Sequence, residues 1–249
     1  MIKLGLIGFP LSHSFSKNYY LTKFETENIT DVNYDLYAIE DIHMFPSLFL
    51  NDEKFKGFNV TIPYKQSVIG FLDELSIEAK EIGAVNCITV QREDKEIHLK
   101  GYNTDAFGFE KSLTPLLKKD HKRALILGNG GAAKAVLYTC NKLGIPYSIV
   151  SRTAFSGDLT YKDLNKEIID NHTIIVNCSP VGTSPTVDQC PEIPYDYITN
   201  KHLLYDLIYN PQETLFLKKG KSKSATIKNG YEMLLLQADK NWEIWKENF

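Results

Sequence analysis

Short apolar runs alternate with longer stretches of helical periodicity along most of the chain. Strand-like runs stand at KLGLIG, NYDLYAI, GFNVTI, NCITVQ and EIHLKGY in the first half, and at RALILG, YSIVS, TIIVN and HLLYDLI in the second. Strand runs separated by helical patterns predict an α/β protein with mainly parallel sheets. The polar segment QREDKE lies between two strand patterns and reads as a hairpin tip, so the first sheet is expected to be mixed. A βαβ series runs to about Tyr102, a helix pattern covers Ala106 to Leu117, and a fresh series begins at Arg123. These changes place a domain boundary near Asp105. The lysine-rich stretch KKGKSKSATIK after Leu217 has the composition of a solvated loop.

With 249 residues the chain is long enough for one large domain or two modest ones. Its 28 basic and 31 acidic residues give a formal charge of -3, which argues against a nucleic-acid partner. No apolar run approaches the roughly 18 residues that a membrane span needs. The opening MIKLGLIGFPLSH turns polar too quickly for a secretory signal and reads as a buried first strand. Cys87, Cys140, Cys178 and Cys190 lack the close spacing of a zinc or redox site. They are expected to be reduced core cysteines of a cytoplasmic protein, with no metal bound.

RALILGNGGAAKAVLYTCNKLG is the most informative local pattern. An apolar strand runs into Gly128, Gly130 and Ala133, spaced G-x-G-x-x-A, and a helix follows to about Gly144. The first glycine permits a tight turn and the second lets a pyrophosphate approach the backbone. The small third residue lets helix and strand pack closely, with the helix N-terminus facing the phosphates. An NAD site usually carries a carboxylate about 20 residues past the first glycine. Here YSIVSRT offers Ser151, Arg152 and Thr153 instead. A guanidinium and hydroxyls suit a 2'-phosphate, so NADP is favoured over NAD.

Four polar sites in the remainder could carry chemistry. In SHSFSK, Ser12, Ser14 and Ser16 crowd one loop after the first strand. Ser16 could cap the following helix, while Ser14 and Ser16 together could hold a carboxylate. In GFNVTIPYKQ, Pro63 ends a strand and Lys65 falls in the first turn of an expected helix, where a cation opposes the helix dipole. That lysine is either functional or solvent-facing. Asp105, in GYNTDAFGF, is either a helix cap or the carboxylate at the end of its strand. Gln237 lies within the apolar stripe of the last helix, near Met233, Leu234, Ile244 and Trp245. A buried amide there needs either core backbone or a polar ligand as its partner.

Together these segments resemble the shikimate dehydrogenase family over nearly the whole chain. The matching blocks, in order, are PLSHSFS, FNVTIPYK, GAVNC, GYNTDAFG, LGNGGAAKA, VSRT, NCSPVGT, DLIYNPQETL and NGYEMLLLQA. The resemblance implies an NADP-dependent enzyme that reversibly reduces 3-dehydroshikimate to shikimate in the pathway to chorismate and the aromatic amino acids. It implies an N-terminal α/β substrate domain over 1–104 and a Rossmann cofactor domain over 105–229. A C-terminal helix over 230–249 would pack back on the first domain. Carried onto this sequence, Lys65 and Asp105 are the catalytic pair. Ser14 and Ser16 would hold the substrate carboxylate with help from Tyr209, and Thr61, Asn86 and Gln237 would contact the ring hydroxyls. Gly130, Gly131 and Ala132 would underlie the pyrophosphate, beyond the turn at Gly128. Ser151, Arg152 and Thr153 would meet the adenosine phosphate, and Leu207 and Gly230 the nicotinamide. No metal is implied, because the cofactor carries the difficult chemistry.

The sequence departs from the family pattern in three places. Lys17 stands where many members have proline, and Thr183 replaces a common methionine in NCSPVGT. Phe155, Ser156 and Gly157 supply no second basic residue after SRT, so 2'-phosphate binding would rest mainly on Arg152. Two alternatives stay open: a relative that oxidises quinate or uses NAD, and a non-catalytic NADPH-binding sensor on the same scaffold. The partners expected are small molecules, with neither nucleic acid nor membrane. The oligomeric state is left open between monomer and homodimer.

Overall fold

Each apolar run noted in the sequence forms a strand, and among the described residues the strands gather into two six-stranded sheets. The computed structural model describes residues 1–11, 15–93, 96–153 and 157–249. The chain divides into two units, Met1–Thr104 with Gln237–Phe249, and Asp105–Leu236.

The first unit contains β1 (Ile2–Gly8), α1 (Phe15–Thr26), β2 (Val32–Ala38), α2 (Phe45–Phe49), β3 (Phe55–Val60), β4 (Glu74–Leu75), α3 (Ile77–Ile82), β5 (Cys87–Glu93) and β6 (Glu96–Tyr102). Its sheet order is β2-β1-β3-β5-β6-β4. β1 pairs in parallel with β2 and β3, whereas β5 is antiparallel to both β3 and β6, so the sheet is mixed. Strand side chains alternate between faces. Leu4 and Leu6 therefore join Tyr20 and Phe24 of α1 and the aromatic residues Trp242 and Trp245 on one face. Ile7 joins Phe45, Phe49, Phe58 and Val68 on the other. Trp245 packs so closely on β3 that a methyl group at Gly57 would come within 2.2 Å of its indole nitrogen.

The second unit contains α4 (Asp105–Leu113), β7 (Ala124–Leu127), α5 (Gly131–Lys142), β8 (Tyr147–Ser151), β9 (Leu159–Thr160), α6 (Lys166–Asn171), β10 (Ile174–Asn177), β11 (Leu203–Asp206), α7 (Leu215–Ser222) and β12 (Thr226–Lys228). Every pairing is parallel, in the order β12-β11-β10-β7-β8-β9. Counted from β7, this is the doubly wound 3-2-1-4-5-6 order of dinucleotide-binding sheets. Ala124 and Ile126 pack with Phe109, Val136 and Cys140 on one face, and Leu125 and Leu127 with Ile169, Phe216 and Leu217 on the other. The last helix, α8 (Tyr231–Lys246), begins in the second unit and from Gln237 onward belongs to the first.

Two local expectations are corrected. The stretch after Leu217 is not a loop but the end of α7 followed by β12. Thr214 caps α7 by accepting from the Leu217 N–H, and Phe216, Leu217 and Gly220 are buried while the lysines keep to the outside. Lys65 does not open an α-helix: residues 62–66 form turns, and a 3-10 helix over Ser67–Phe71 follows. Its cation therefore opposes no α-helix dipole. Among the described residues, no helix is long and apolar enough to cross a membrane, and no His, Cys, Asp or Glu cluster could hold a metal.

Candidate active site

In the first unit, three connected segments hold the candidate residues. The strand β3 runs out at Val60, and Thr61 follows with its N–H on the Ile7 carbonyl at 3.0 Å. The turn beyond it closes through Tyr64 N–H to the Thr61 carbonyl at 2.9 Å. The Val85 N–H donates to the Lys65 carbonyl at 2.7 Å, which ties the lysine's backbone to the segment that carries Asn86. Asn86 is 3% exposed, and its Nδ2 lies 3.4 Å from Oε1 of Gln237 on α8.

Ser16 is the second residue of α1 rather than the residue before it, so it is not the N-cap. Its side chain instead hydrogen-bonds with the buried Tyr34 phenol, whose own proton goes to Asn59 Oδ1 at 2.8 Å. Asn59 in turn donates to the Asn86 carbonyl at 3.1 Å. Ser12 and Ser14 lie outside the described residues. Lys17, at the position where proline is common, forms an ion pair with Asp35 at 2.8 Å.

In the second unit, Asp105 is the first residue of α4, inside the helix rather than capping it from outside. A carboxylate in the first turn suits the helix dipole. Gly128 ends the strand with a φ of +101°, a conformation that side chains rarely adopt. Gly130 and Gly131 are different. Gly130 is the N-cap of α5 with a φ of −73°, and a methyl group added at either residue meets nothing within 4 Å. The fold itself does not demand glycine at these two positions. They leave an open cradle at a helix N-terminus, which fits a pyrophosphate approaching the backbone. Ala132 is exposed on the next position of the same turn. The neighbouring strand ends in buried Ser151, whose hydroxyl is held by the Thr153 carbonyl, and in exposed Arg152. Phe155 and Ser156 lie outside the described residues.

Two strands along the same edge of the sheet, one buried carboxylate organises the chain around it. Asp206, at the end of β11, accepts from Thr214 Oγ1 at 2.6 Å, Asn177 Nδ2 at 3.0 Å and the Ile208 N–H at 3.1 Å. Burial pushes its carboxyl up to about 6, and the three donors pull it back only in part. Asn177 also uses its Oδ1 to hold the Ser179 N–H and hydroxyl, at 3.0 Å and 2.6 Å. Leu207 hangs from this cluster through its N–H to the Asn177 carbonyl at 3.0 Å. The Gly230 N–H donates to the Ile208 carbonyl at 3.0 Å, and a methyl group at Gly230 would fall 2.1 Å from the Leu207 carbonyl oxygen. Glycine is therefore required for that approach. Burial raises the Tyr209 phenol above its ordinary range. Thr183, the methionine replacement, reaches the Asn210 carbonyl at 3.5 Å.

Sequence reasoning passed over Thr104, Asn241, Tyr34 and Asn59 in the first unit and Asn177, Asp206 and Thr214 in the second. Only Asn241 carried a usable signal, since it stands one helical turn after Gln237 on the same face.

A 3-2-1-4-5-6 parallel sheet with a glycine cradle, joined to a second α/β unit carrying a lysine and buried amides, defines a dinucleotide-dependent oxidoreductase of two α/β units. The family described as "Shikimate dehydrogenase substrate binding domain" matches residues 6–88. Shikimate dehydrogenase (NADP(+)) from Clostridium beijerinckii is 41% identical across 98% of this chain and 91% of its own length. The crystal structure of shikimate dehydrogenase 1 from Peptoclostridium difficile superposes with a TM-score of 0.82 at 39% identity, covering 100% of this chain and 93% of that one. That of shikimate 5-dehydrogenase from Thermus thermophilus, solved with NADP(H) and shikimate, gives 0.84 at 26% identity, covering 99% and 94%. The chain belongs to the shikimate dehydrogenase family.

Proposed function

We propose that the chain reversibly reduces 3-dehydroshikimate to shikimate with NADPH, in the pathway to chorismate and the aromatic amino acids. The observation that carries this reading is the joining of the Lys65 turn, Asn86 and Gln237 within one unit, through Val85 N–H to Lys65 O at 2.7 Å and Asn86 Nδ2 to Gln237 Oε1 at 3.4 Å. These are the residue types that a polyhydroxylated ring ketone requires: an ammonium for its reacting oxygen and amides for its hydroxyls.

NADPH, when bound, supplies the hydride. As the ketone is reduced its oxygen gathers negative charge, and the Lys65 ammonium stabilises that charge and delivers the proton. In the oxidative direction Lys65 takes the proton back. Asp105 is its partner in this reading, binding the reacting hydroxyl and orienting the lysine. Ser14, Ser16 and Tyr209 are assigned to the substrate carboxylate, and Thr61, Asn86 and Gln237 to the ring hydroxyls. The cradle at Gly130, Gly131 and Ala132, following the Gly128 turn, would take the pyrophosphate. Ser151, Arg152 and Thr153 would take the 2'-phosphate, and Leu207 and Gly230 the nicotinamide. The substrate-binding catalytic role thus falls to 1–104 with the C-terminal helix, and the cofactor role to the domain that follows. We place the enzyme in the cytoplasm, a compartment that suits its four free cysteines.

The test is direct. Mixed with NADPH and 3-dehydroshikimate, the protein is expected to consume absorbance at 340 nm and yield shikimate, identified by mass and retention time. Folded protein that binds NADPH and leaves 3-dehydroshikimate untouched would sink the reading.

A further inference from the structure

We propose that Asn241, acting with Thr104, is a positioning residue that fixes which end of the Gln237 side chain faces the ligand, so that Gln237 serves as a hydrogen-bond donor. This rests on the reading of Gln237 as a substrate contact. The two ends of a glutamine amide are similar in shape and opposite in hydrogen-bonding sense, so only the surrounding network can specify one of them.

The polarity of this network starts at a group that cannot be reversed. The backbone N–H of Thr104 lies 2.8 Å from Asn86 Oδ1, and a backbone N–H can only donate. Asn86 therefore turns its NH2 toward Thr104 Oγ1, 2.9 Å away. With that bond accepted, the Thr104 hydroxyl gives its one proton to the nearer of its two acceptors, Asn241 Oδ1 at 2.6 Å rather than Asn86 Oδ1 at 3.2 Å. Asn241 is left with its NH2 facing Gln237 Oε1 at 3.1 Å. A second line agrees. The Tyr20 hydroxyl donates to the Ala238 carbonyl at 2.9 Å, and its hydrogen bond with Asn241 is then one in which the amide donates.

Gln237 Oε1 thus faces two NH2 donors, from Asn241 and Asn86. Flipping the Gln237 amide would set its NH2 against theirs. Water has little access to that clash from the relay side, because Asn241 is 0% exposed, Thr104 2% and Asn86 3%. The NH2 of Gln237 is the end turned away from the relay. A ring position read by it must carry an oxygen with a lone pair to give, a hydroxyl or a ketone. A protonated amine at that position would meet a donor and be refused.

A double-mutant cycle in steady-state turnover, with NADP+ saturating and shikimate varied, separates positioning from general stability. Gln237→Ala is expected to raise the KM for shikimate about tenfold, and Asn241→Leu about three- to tenfold. The KM for NADP+ should hold in both. Because Asn241 acts through Gln237, the double variant should be no worse than Gln237→Ala alone. Multiplying effects in the double variant, or an unchanged shikimate KM in Asn241→Leu beside a raised one in Gln237→Ala, would overturn the proposal. An unchanged KM in Gln237→Ala would instead overturn the assignment of Gln237 to the substrate. Should Asn241→Leu fail to fold, Asn241→Ala, smaller and favourable in a helix, replaces it in the cycle.

Discussion

In the first unit four polar side chains form a line. Thr104, Asn86, Asn241 and Gln237 hand a direction from a backbone N–H to a side-chain amide. In the second unit three donors converge on a point: Thr214, Asn177 and the Ile208 N–H all donate to Asp206. The line leaves donors and acceptors in a defined order, which suits a small ring whose hydroxyls must be told apart. The cluster on Asp206 holds main chain in place instead, at Leu207 and toward Gly230. Beside it the open cradle offers backbone rather than side chains, which suits a phosphate. On the proposed assignment, the first unit reads its ligand by side chain and the second by backbone.

The largest effect that would break this contrast is expected at Lys65. Lys65→Met should lower kcat on the order of 100-fold with little change in the KM for shikimate, since it removes an interaction made in the transition state. Parallel loss of kcat and affinity would make the lysine an anchor instead. Next come the glycines. Gly130→Ala puts a methyl group into open space, so folding stability should hold to within the few tenths to about 1 kcal/mol that a helix cap is worth, and the thermal midpoint should move little. Its KM for NADP+ should nonetheless rise more than about tenfold, with the shikimate KM unchanged. Gly230→Ala drives a methyl group to 2.1 Å from a backbone oxygen and should lower the midpoint itself. Equal stability losses for the two would end the claim that the cradle's glycines serve a ligand.

Arg152→Ala sharpens the cofactor side. Removing the exposed guanidinium should raise the KM for NADP+ about tenfold and leave that for NAD+ unaltered. An equal rise for both would move Arg152 from the 2'-phosphate to the adenine. The smallest effect on turnover is expected at Asp206, and it is a matter of pH. Its carboxyl titrates at about 6, above the ordinary 3.8, so the folded state binds the proton more tightly than the unfolded chain. The stability this confers is complete below pH 4 and is lost as pH rises through about 6, at no more than roughly 1.4 kcal/mol per pH unit. Urea unfolding at intervals from pH 4 to 7 isolates this decline as the difference between the native chain and Asp206→Asn, because burial lowers His121 and His172 and their contributions rise with pH in both proteins. The native chain should lose stability relative to the variant as pH rises; parallel profiles would mean that Asp206 keeps an ordinary pKa.

Much of the α/β layout was legible because the strands are buried on both faces and read as continuous apolar runs. The exceptions are informative. β4 and β9 span two residues each, too short for any periodicity. The end of α7 was masked by lysines that surround a short buried face at Phe216 and Leu217. Lys65 was misplaced on a helix because a turn followed by a 3-10 segment has nearly the same residue preferences as a helix start. At the cofactor cradle the glycine spacing was readable because the motif is local, a turn at Gly128 and an open backbone two residues on. The amide relay was not, because its members come from segments as far apart as residues 86 and 241. Nothing in a polar residue's own neighbourhood says which distant amide it will face.

The most direct test of the account measures NADP+ and NAD+ reduction at 340 nm with shikimate and quinate, four combinations on one preparation. Rapid turnover with shikimate and NADP+, and slow or no turnover in the other three, is the expected result. Comparable rates with quinate or with NAD+ would contradict the specificity assigned to the first unit's amides or to Arg152. Silence in all four, from protein that still binds NADP+, would contradict the catalytic role itself and return the scaffold to nucleotide sensing.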